Sequence, residues 1–273
     1  VMILENLRFY SEEKSGNEMF AKKLAALGDI YINDAFGTAH RNHASTAVIA
    51  KFFPNNKYFG NLMAKEITSL DKVLKNPAGP VTAIIGGSKI SGKIDVIKSL
   101  FKKVNNLIIG GGMAYTFAKA KGAQIGKSLI EEDKVPLAIE LIDEAKKNGV
   151  NLVLPSDSLN ADTFKNNAKT QSSSILSIQE DYMGLDIGEK SIACFSKIIK
   201  ESKTIIWNGP MGVFEIKKFQ NGTKMIGEAI CTATKRGAFS LVGGGDSVAA
   251  VEKFNLTENI SYISTGGGAM LKY

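Results

Sequence analysis

An α/β fold built on parallel sheets is what this sequence predicts, and three observations predict it. Short β-branched runs alternate with longer amphipathic stretches, the pattern of βα units. Glycine clusters stand at or just after the ends of apolar runs: Gly86-Gly87, Gly110-Gly111-Gly112, Gly243-Gly244-Gly245 and Gly266-Gly267-Gly268. Turn-forming residues, Asn76-Pro77-Ala78-Gly79-Pro80, interrupt the alternation and mark a boundary between two lobes near residues 60–80.

In chain order, Val1-Met2-Ile3-Leu4 reads as a first strand; with no charged leader and no small-residue cleavage site it is expected not to be a signal peptide. A core strand at the start and a glycine cluster near the end give the expectation that the chain is cut at both ends. A helix is expected over 18–27, a second strand over 29–33 and a long helix over 61–75. Beyond the punctuation, strands are expected over 81–85, 107–109, 151–154, 204–207, 239–242 and 262–264, with helices over 94–103, 135–147 and 222–235. The expected division is thus a first lobe over 1–60, a helix and linker over 61–76, and a second lobe over 77–273.

Composition narrows the function classes. At 273 residues, 44% hydrophobic and 22% charged, the chain has ordinary globular usage, which excludes fibres and disordered tails. No apolar run approaches the roughly 20 residues of a membrane span, so no membrane partner is expected. A net charge of +7 favours anionic partners without choosing among them. One tryptophan, no basic run and no aromatic-basic interleaving argue against nucleic acid. The two cysteines, Cys194 and Cys231, are too few for a disulfide scaffold and lack CxxC spacing, which fits a reducing cytoplasm.

The glycine clusters point to phosphate. Glycine at a strand end lets backbone N–H groups approach a ligand before the chain turns into a helix N-terminus, although tight turns alone would also use glycine. In open parallel sheets ligands bind outside the carboxyl ends of the strands, where the clusters should lie. Known motifs fail narrowly. The run from Gly87 to Ile94 matches GxxxxGK but has Ile94 where a P-loop needs a hydroxyl, and a dinucleotide GxGxxG/A fails at Tyr115, Val248 and Leu271. Lys89 and Lys93, four apart, are expected on one face at the opening of a helix, where cations oppose the dipole and suggest an anion to meet them; a solvated helix start is the plainer reading. Asp246 offers a carboxylate for magnesium and Ser247 a hydroxyl at a helix N-terminus, or either is an ordinary N-cap. His40 and His43 lack a third metal ligand nearby. Arg8 and Arg41 suit a carboxylate or phosphate, and serve equally as surface arginines.

With these residues in view, the sequence resembles the phosphoglycerate kinases over essentially its whole length. The likeness is carried by Leu4-Glu5-Asn6-Leu7-Arg8-Phe9, by the stretch Asn33-Asp34-Ala35-Phe36-Gly37-Thr38-Ala39-His40-Arg41, and by Gly86-Gly87-Ser88-Lys89. It continues through Gly110-Gly111-Gly112-Met113-Ala114, Met183-Gly184-Leu185-Asp186, Gly243-Gly244-Gly245-Asp246 and Ser264-Thr265-Gly266-Gly267-Gly268-Ala269. Most specific is Trp207-Asn208-Gly209-Pro210-Met211-Gly212-Val213-Phe214-Glu215.

The resemblance implies two doubly wound, Rossmann-like lobes, the N-terminal one incomplete here. It implies reversible phosphoryl transfer between 1,3-bisphosphoglycerate and ADP, giving 3-phosphoglycerate and MgATP, in a cytoplasmic monomer. By the same resemblance Arg8 and Arg41 bind the 3-phosphate, Lys89 and Lys93 reach the nucleotide phosphates and the group in flight, and Asp246 takes Mg2+. The backbone of Gly244 and Gly245, with Ser247, cradles phosphate. Gly111, Gly112, Met183, Gly184 and Leu185 line the adenine slot, while Asn208, Pro210 and Glu215 flank the nucleotide, Glu215 on the ribose. The family's opening segment, with its catalytic arginine and glycerate loop, has no counterpart here, nor has its closing segment. A fragment of a kinase with impaired turnover is therefore expected, the alternative being a nucleotide-binding module with little or none.

Overall fold

The computed structural model describes residues 1–273, with the backbone alone for 271 and 272. The chain clusters into two compact units, Val1–Asp71 with Thr265–Tyr273, and Lys72–Ser264. The expected division ran the second lobe to residue 273, so the last nine residues depart from it. The reason is local: the Thr265 amide and Oγ1 both donate to Glu66 Oε1, at 2.6 and 2.7 Å, and a Cβ on Gly37 would stand 3.2 Å from the Thr265 carbonyl.

In the first unit come α1 (Ser11–Ser15), α2 (Glu18–Ala25), β1 (Tyr31–Asn33), α3 (Phe36–Ala39), β2 (Lys57–Phe59) and all but the last three residues of α4 (Asn61–Leu74). Asn17 caps α2 by accepting the Phe20 amide at 2.9 Å, satisfying one of the N–H groups a helix start leaves open. The apolar face of α2 packs through Ala21 against Ala44, Val48, Ile49 and Phe53, a small core of its own. β1 and β2 form a two-stranded parallel sheet with Tyr31 opposite Lys57. Residues 1–4 are not a strand, contrary to expectation: they lie exposed and pair with no strand among the described residues, and an apolar run without a ladder partner gains nothing from extension.

The second unit carries the site. Its principal strands are β3 (Val81–Ile85) and β4 (Asn106–Ile109), then, beyond a short β5 (Gln124–Ile125), β6 (Asn151–Val153). Helices α5 (Ile94–Leu100), α6 (Met113–Ala120) and α7 (Val135–Lys147) connect them. An insertion follows: β7 (Asp157–Ala161), β8 (Thr170–Ser174), β9 (Ser177–Ile178) and β10 (Met183–Ile187). The chain then returns through α8 (Glu189–Glu201), β11 (Thr204–Asn208), α9 (Asn221–Lys235), β12 (Phe239–Val242), α10 (Gly245–Lys253) and β13 (Tyr262–Ile263). The closing helix α11 (Gly268–Lys272) belongs to the first unit.

The main sheet has six parallel strands in the order β13-β12-β11-β3-β4-β6. This is the parallel α/β architecture read from the sequence. All five residues of β3 and of β11 are buried, as strands covered on both faces must be. Trp207, fully buried, centres a core with Phe195, Ile226 and Ile230, each such side chain contributing about 1.5–3 kcal/mol by burial. From β3 the chain moves outward to β4 and β6, then returns beside β3 at β11 and moves outward the other way. The strand order therefore reverses between β3 and β11, which opens a crevice at their carboxyl ends. The insertion makes a three-stranded antiparallel sheet, β10-β7-β8, absent from the expectation because sequences such as Thr170-Gln171-Ser172-Ser173-Ser174 carry almost no β-branched or apolar signal.

Candidate functional site

Three loops interlock at the carboxyl ends of β3, β4 and β11. The Gly86 amide donates to the Asn208 carbonyl at 2.9 Å, Gly87 to that of Pro210 at 3.0 Å, and Gly111 to that of Met211 at 3.1 Å. Glycine is needed here because backbone meets backbone. A Cβ on Gly86 would lie 2.1 Å from the Pro210 oxygen, and one on Gly111, at φ +67°, 2.5 Å from the Gly87 nitrogen. These glycines make room for neighbouring protein loops, whereas the sequence reading gave that room to a ligand.

In front of the loops is a cleft of about 690 Å³. Of the expected residues, Gly111, Gly112, Met183, Gly184, Leu185, Pro210, Glu215 and Asp246 line it. Part of its lining is an apolar slot: Leu129, Met183, Leu185, Met211, Val213 and Ile216 contribute to its walls, as does Gly112 with its bare backbone. Strand β10 is set there by the Gly184 amide, which donates to the buried Ser128 Oγ at 2.9 Å. Glu215, exposed, and Asp246 add carboxylates to the lining. Tyr115, Lys127, Leu129, Phe164 and Ile216 line the cleft without having been singled out. Phe164 left a signal, a lone aromatic in the polar run Asp162-Thr163-Phe164-Lys165-Asn166, and it stands 58% exposed.

Beside the cleft the cationic end takes shape. Lys89 and Lys93 do not share a helix face as expected: α5 begins at Ile94, Lys93 is its N-cap residue, and Lys89 sits exposed in the preceding loop. The Lys93 ammonium donates to the Gly86 carbonyl at 2.7 Å, the Asn208 carbonyl at 3.1 Å and Asn208 Oδ1 at 2.6 Å. Burial pulls its pKa down to about 8, against the favourable field of Asp246. Asn208, in turn, donates through Nδ2 to the Gly243 carbonyl at 2.8 Å, so one amide side chain ties Lys93 to the turn before α10.

That turn presents a helix N-terminus. Gly244, at φ +92°, is the N-cap residue of α10, and the amides of the first turn have no partner within the helix. A Cβ on Gly245 would meet nothing within 4 Å, and Gly245 and Asp246 are both exposed at this end of the helix. Ser247 is placed otherwise than expected: it is fully buried, and its Oγ accepts the Gly209 amide at 2.5 Å, which turns the hydroxyl into the fold. Among the described residues no three His, Cys, Asp or Glu side chains gather as a metal cage. The lone Asp246 carboxylate instead suits magnesium, which usually takes one or two protein carboxylates and completes its shell with phosphate oxygens and water.

In the first unit, Arg8 lies in a short 3-10 turn, Leu7–Phe9, and Arg41 follows α3; both are exposed and neither forms an ion pair among the described residues.

The family model described as phosphoglycerate kinase matches residues 1–273. A phosphoglycerate kinase of Porphyromonas gingivalis is 52% identical over 296 residues, spanning 100% of this chain and 71% of the relative. A cytosolic phosphoglycerate kinase of Triticum aestivum is 52% identical over 272 residues, spanning 100% of this chain and 68% of its own length. The solved phosphoglycerate kinase of Coxiella burnetii superposes with a TM-score of 0.91 at 42% identity, over 98% of this chain and 68% of that one.

Proposed function

Since this chain belongs to the phosphoglycerate kinase family, we propose that its cleft binds ADP or ATP and that it serves phosphoryl transfer from 1,3-bisphosphoglycerate to ADP. The observation that carries this reading is the cleft at the strand-order reversal, whose lining joins an apolar slot to Asp246 near the start of α10. A flat heterocycle fits the slot between the Gly112 backbone and Leu185, with Glu215 accepting from ribose hydroxyls. The phosphates then run toward the open amides of Gly245 and Asp246, which face negative charge at a helix N-terminus. Asp246 would hold the magnesium ion of the nucleotide, which draws the phosphate charges together.

Transfer of the phosphoryl group asks the protein for position and for cations rather than for covalent work. The acyl-phosphate P–O bond breaks as a terminal oxygen of ADP bonds to phosphorus, leaving the carboxylate of 3-phosphoglycerate. Lys93 is equipped for the charge that spreads over the moving oxygens, because its three acceptors are uncharged and a phosphate oxygen is a stronger one. Lys89, exposed in the same loop, supplies a second cation. In the first unit Arg8 and Arg41 supply exposed guanidinium forks for the 3-phosphate. The reaction is assigned to the cytoplasm, as the name of the wheat relative suggests.

Titration calorimetry with MgADP tests the reading. The parent chain binds, and Asp246→Ala weakens binding by about tenfold or more, the loss of one metal-bridged contact. An Asp246→Ala protein that binds MgADP as well as the parent would sink it. A coupled assay with 3-phosphoglycerate and MgATP then separates turnover from binding alone.

A further inference from the structure

Glu131 stands outside every motif that pointed to the site, yet its side chain is tied to the loop bearing both lysines. Its Oε2 accepts the Ile90 amide at 2.6 Å and the Ser91 amide at 3.2 Å. Its own amide donates to Thr116 Oγ1 at 3.3 Å, and Thr116 is buried on α6, so the carboxylate hangs from a packed helix. The loop has a second tether at its other end, where Gly87 donates to Pro210 at 3.0 Å and accepts from Met113 at 3.1 Å. Between the tethers lie Ser88 and Lys89, both exposed. Past them the Ile90 side chain is fully buried, and its carbonyl accepts the Lys93 amide at 2.8 Å. Fixing Ile90 therefore fixes the backbone on both sides, toward Lys89 and toward Lys93.

Burial works against the charge of Glu131, but the Ser91 side chain, the Ser91 and Ile90 amides and nearby Lys89 hold its carboxyl below the usual range. It is thus ionised at neutral pH, and the two amides meet a charged acceptor.

We propose that Glu131 is a positioning residue for the phosphate end of the cleft, its carboxylate clamping the Ile90 and Ser91 amides and so setting where Lys89 and Lys93 meet the nucleotide phosphates. The proposal rests on the nucleotide reading above. It makes a prediction of sign. An anion near a phosphate site, acting through its charge alone, weakens binding, so its removal would strengthen MgADP affinity. A clamp predicts the reverse.

The experiment compares the parent, Glu131→Ala and Glu131→Gln by calorimetry with MgADP and with adenosine, and reads amide exchange at residues 90 and 91. Glu131→Ala is expected to weaken MgADP by about tenfold, the scale of lost hydrogen bonds to a charged group, and to leave adenosine within about twofold. Glu131→Gln keeps an acceptor oxygen and recovers most of the loss, and exchange at 90 and 91 quickens only in the alanine variant. Should Glu131→Ala fail to fold, the glutamine variant carries the test, with MgADP affinity expected within about threefold of the parent. Unchanged or tighter MgADP binding in Glu131→Ala, an equal loss of adenosine, or a glutamine variant as weak as alanine overturns the clamp. A parent chain that binds no MgADP overturns the nucleotide reading instead.

Discussion

Asp186 shows what a single residue meets once the chain has folded. It is 1% exposed behind the cleft wall, and its two oxygens accept the amides of Ile187 at 2.9 Å and Gly222 at 2.7 Å, the second at the start of α9. Burial raises its pKa to about 7, with the two amides pulling the other way. A folded-state pKa above the unfolded value of 3.8 means the native state binds the proton more tightly. Its contribution to stability is therefore full below about pH 4 and is lost as pH rises through about 7, with a slope of up to about 1.4 kcal/mol per unit. Denaturant titrations from pH 4 to 8 should show that decline. In Asp186→Asn the slope should flatten, while overall stability drops by about 1–3 kcal/mol because the NH2 group that replaces one oxygen cannot accept and leaves one of the two amides without its acceptor. A variant that keeps the parent's slope would show that the proton resides elsewhere.

At the scale of elements, the cleft depends on loops that pass one another without side chains between them. Gly111 and Gly122 both have positive φ, +67° and +84°, yet a Cβ on Gly111 would strike backbone at 2.5 Å and one on Gly122 would meet nothing within 4 Å. Gly122→Ala should cost only the left-handed backbone term, about 1 kcal/mol. Gly111→Ala should cost that plus a displaced loop, about 3 kcal/mol or more, and should weaken MgADP as well. Thermal melts and calorimetry of the two variants decide it, and equal melting temperatures would refute the close-packing account. Lys89 and Lys93 teach a related lesson. Their spacing suggested a shared helix face, but Lys93 closes the loop as an N-cap residue and turns its ammonium onto the three oxygens supplied by Gly86 and Asn208.

Over the whole molecule, protection against exchange should follow the sheets. β3 lies between β11 and β4, with all five residues buried, so its amides open only when the second unit unfolds. β1 pairs with β2 alone over three residues, and Ile32 is 60% exposed. Two-stranded pairs are marginal by themselves. Native-state hydrogen exchange should show Ile84 and Ile85 slower than Ile32 and Asn33 by at least about tenfold, after correction for intrinsic rates. Equal protection would mean that the small core around Ala21 and Phe53 holds the first unit as firmly as the main sheet holds the second.

The sequence alone determined the α/β class, all six strands of the main sheet to within a residue at each end, the bounds of α7, and the motifs that line the cleft. Those features are written in local periodicity and in glycine placement, which physics reads within a few residues. Tertiary structure alone decided the rest. Residues 1–4 have the composition of a strand but find no ladder to join. The antiparallel insertion includes a strand of threonine, glutamine and serines, β8, whose pairing with β7 is settled across the sheet. Ser247 is turned inward, Lys93 is held by Asn208 from 115 residues away, and Glu131 reaches a loop 40 residues distant in sequence. Each of these depends on a partner remote in the chain, and a window of neighbouring residues carries no record of it.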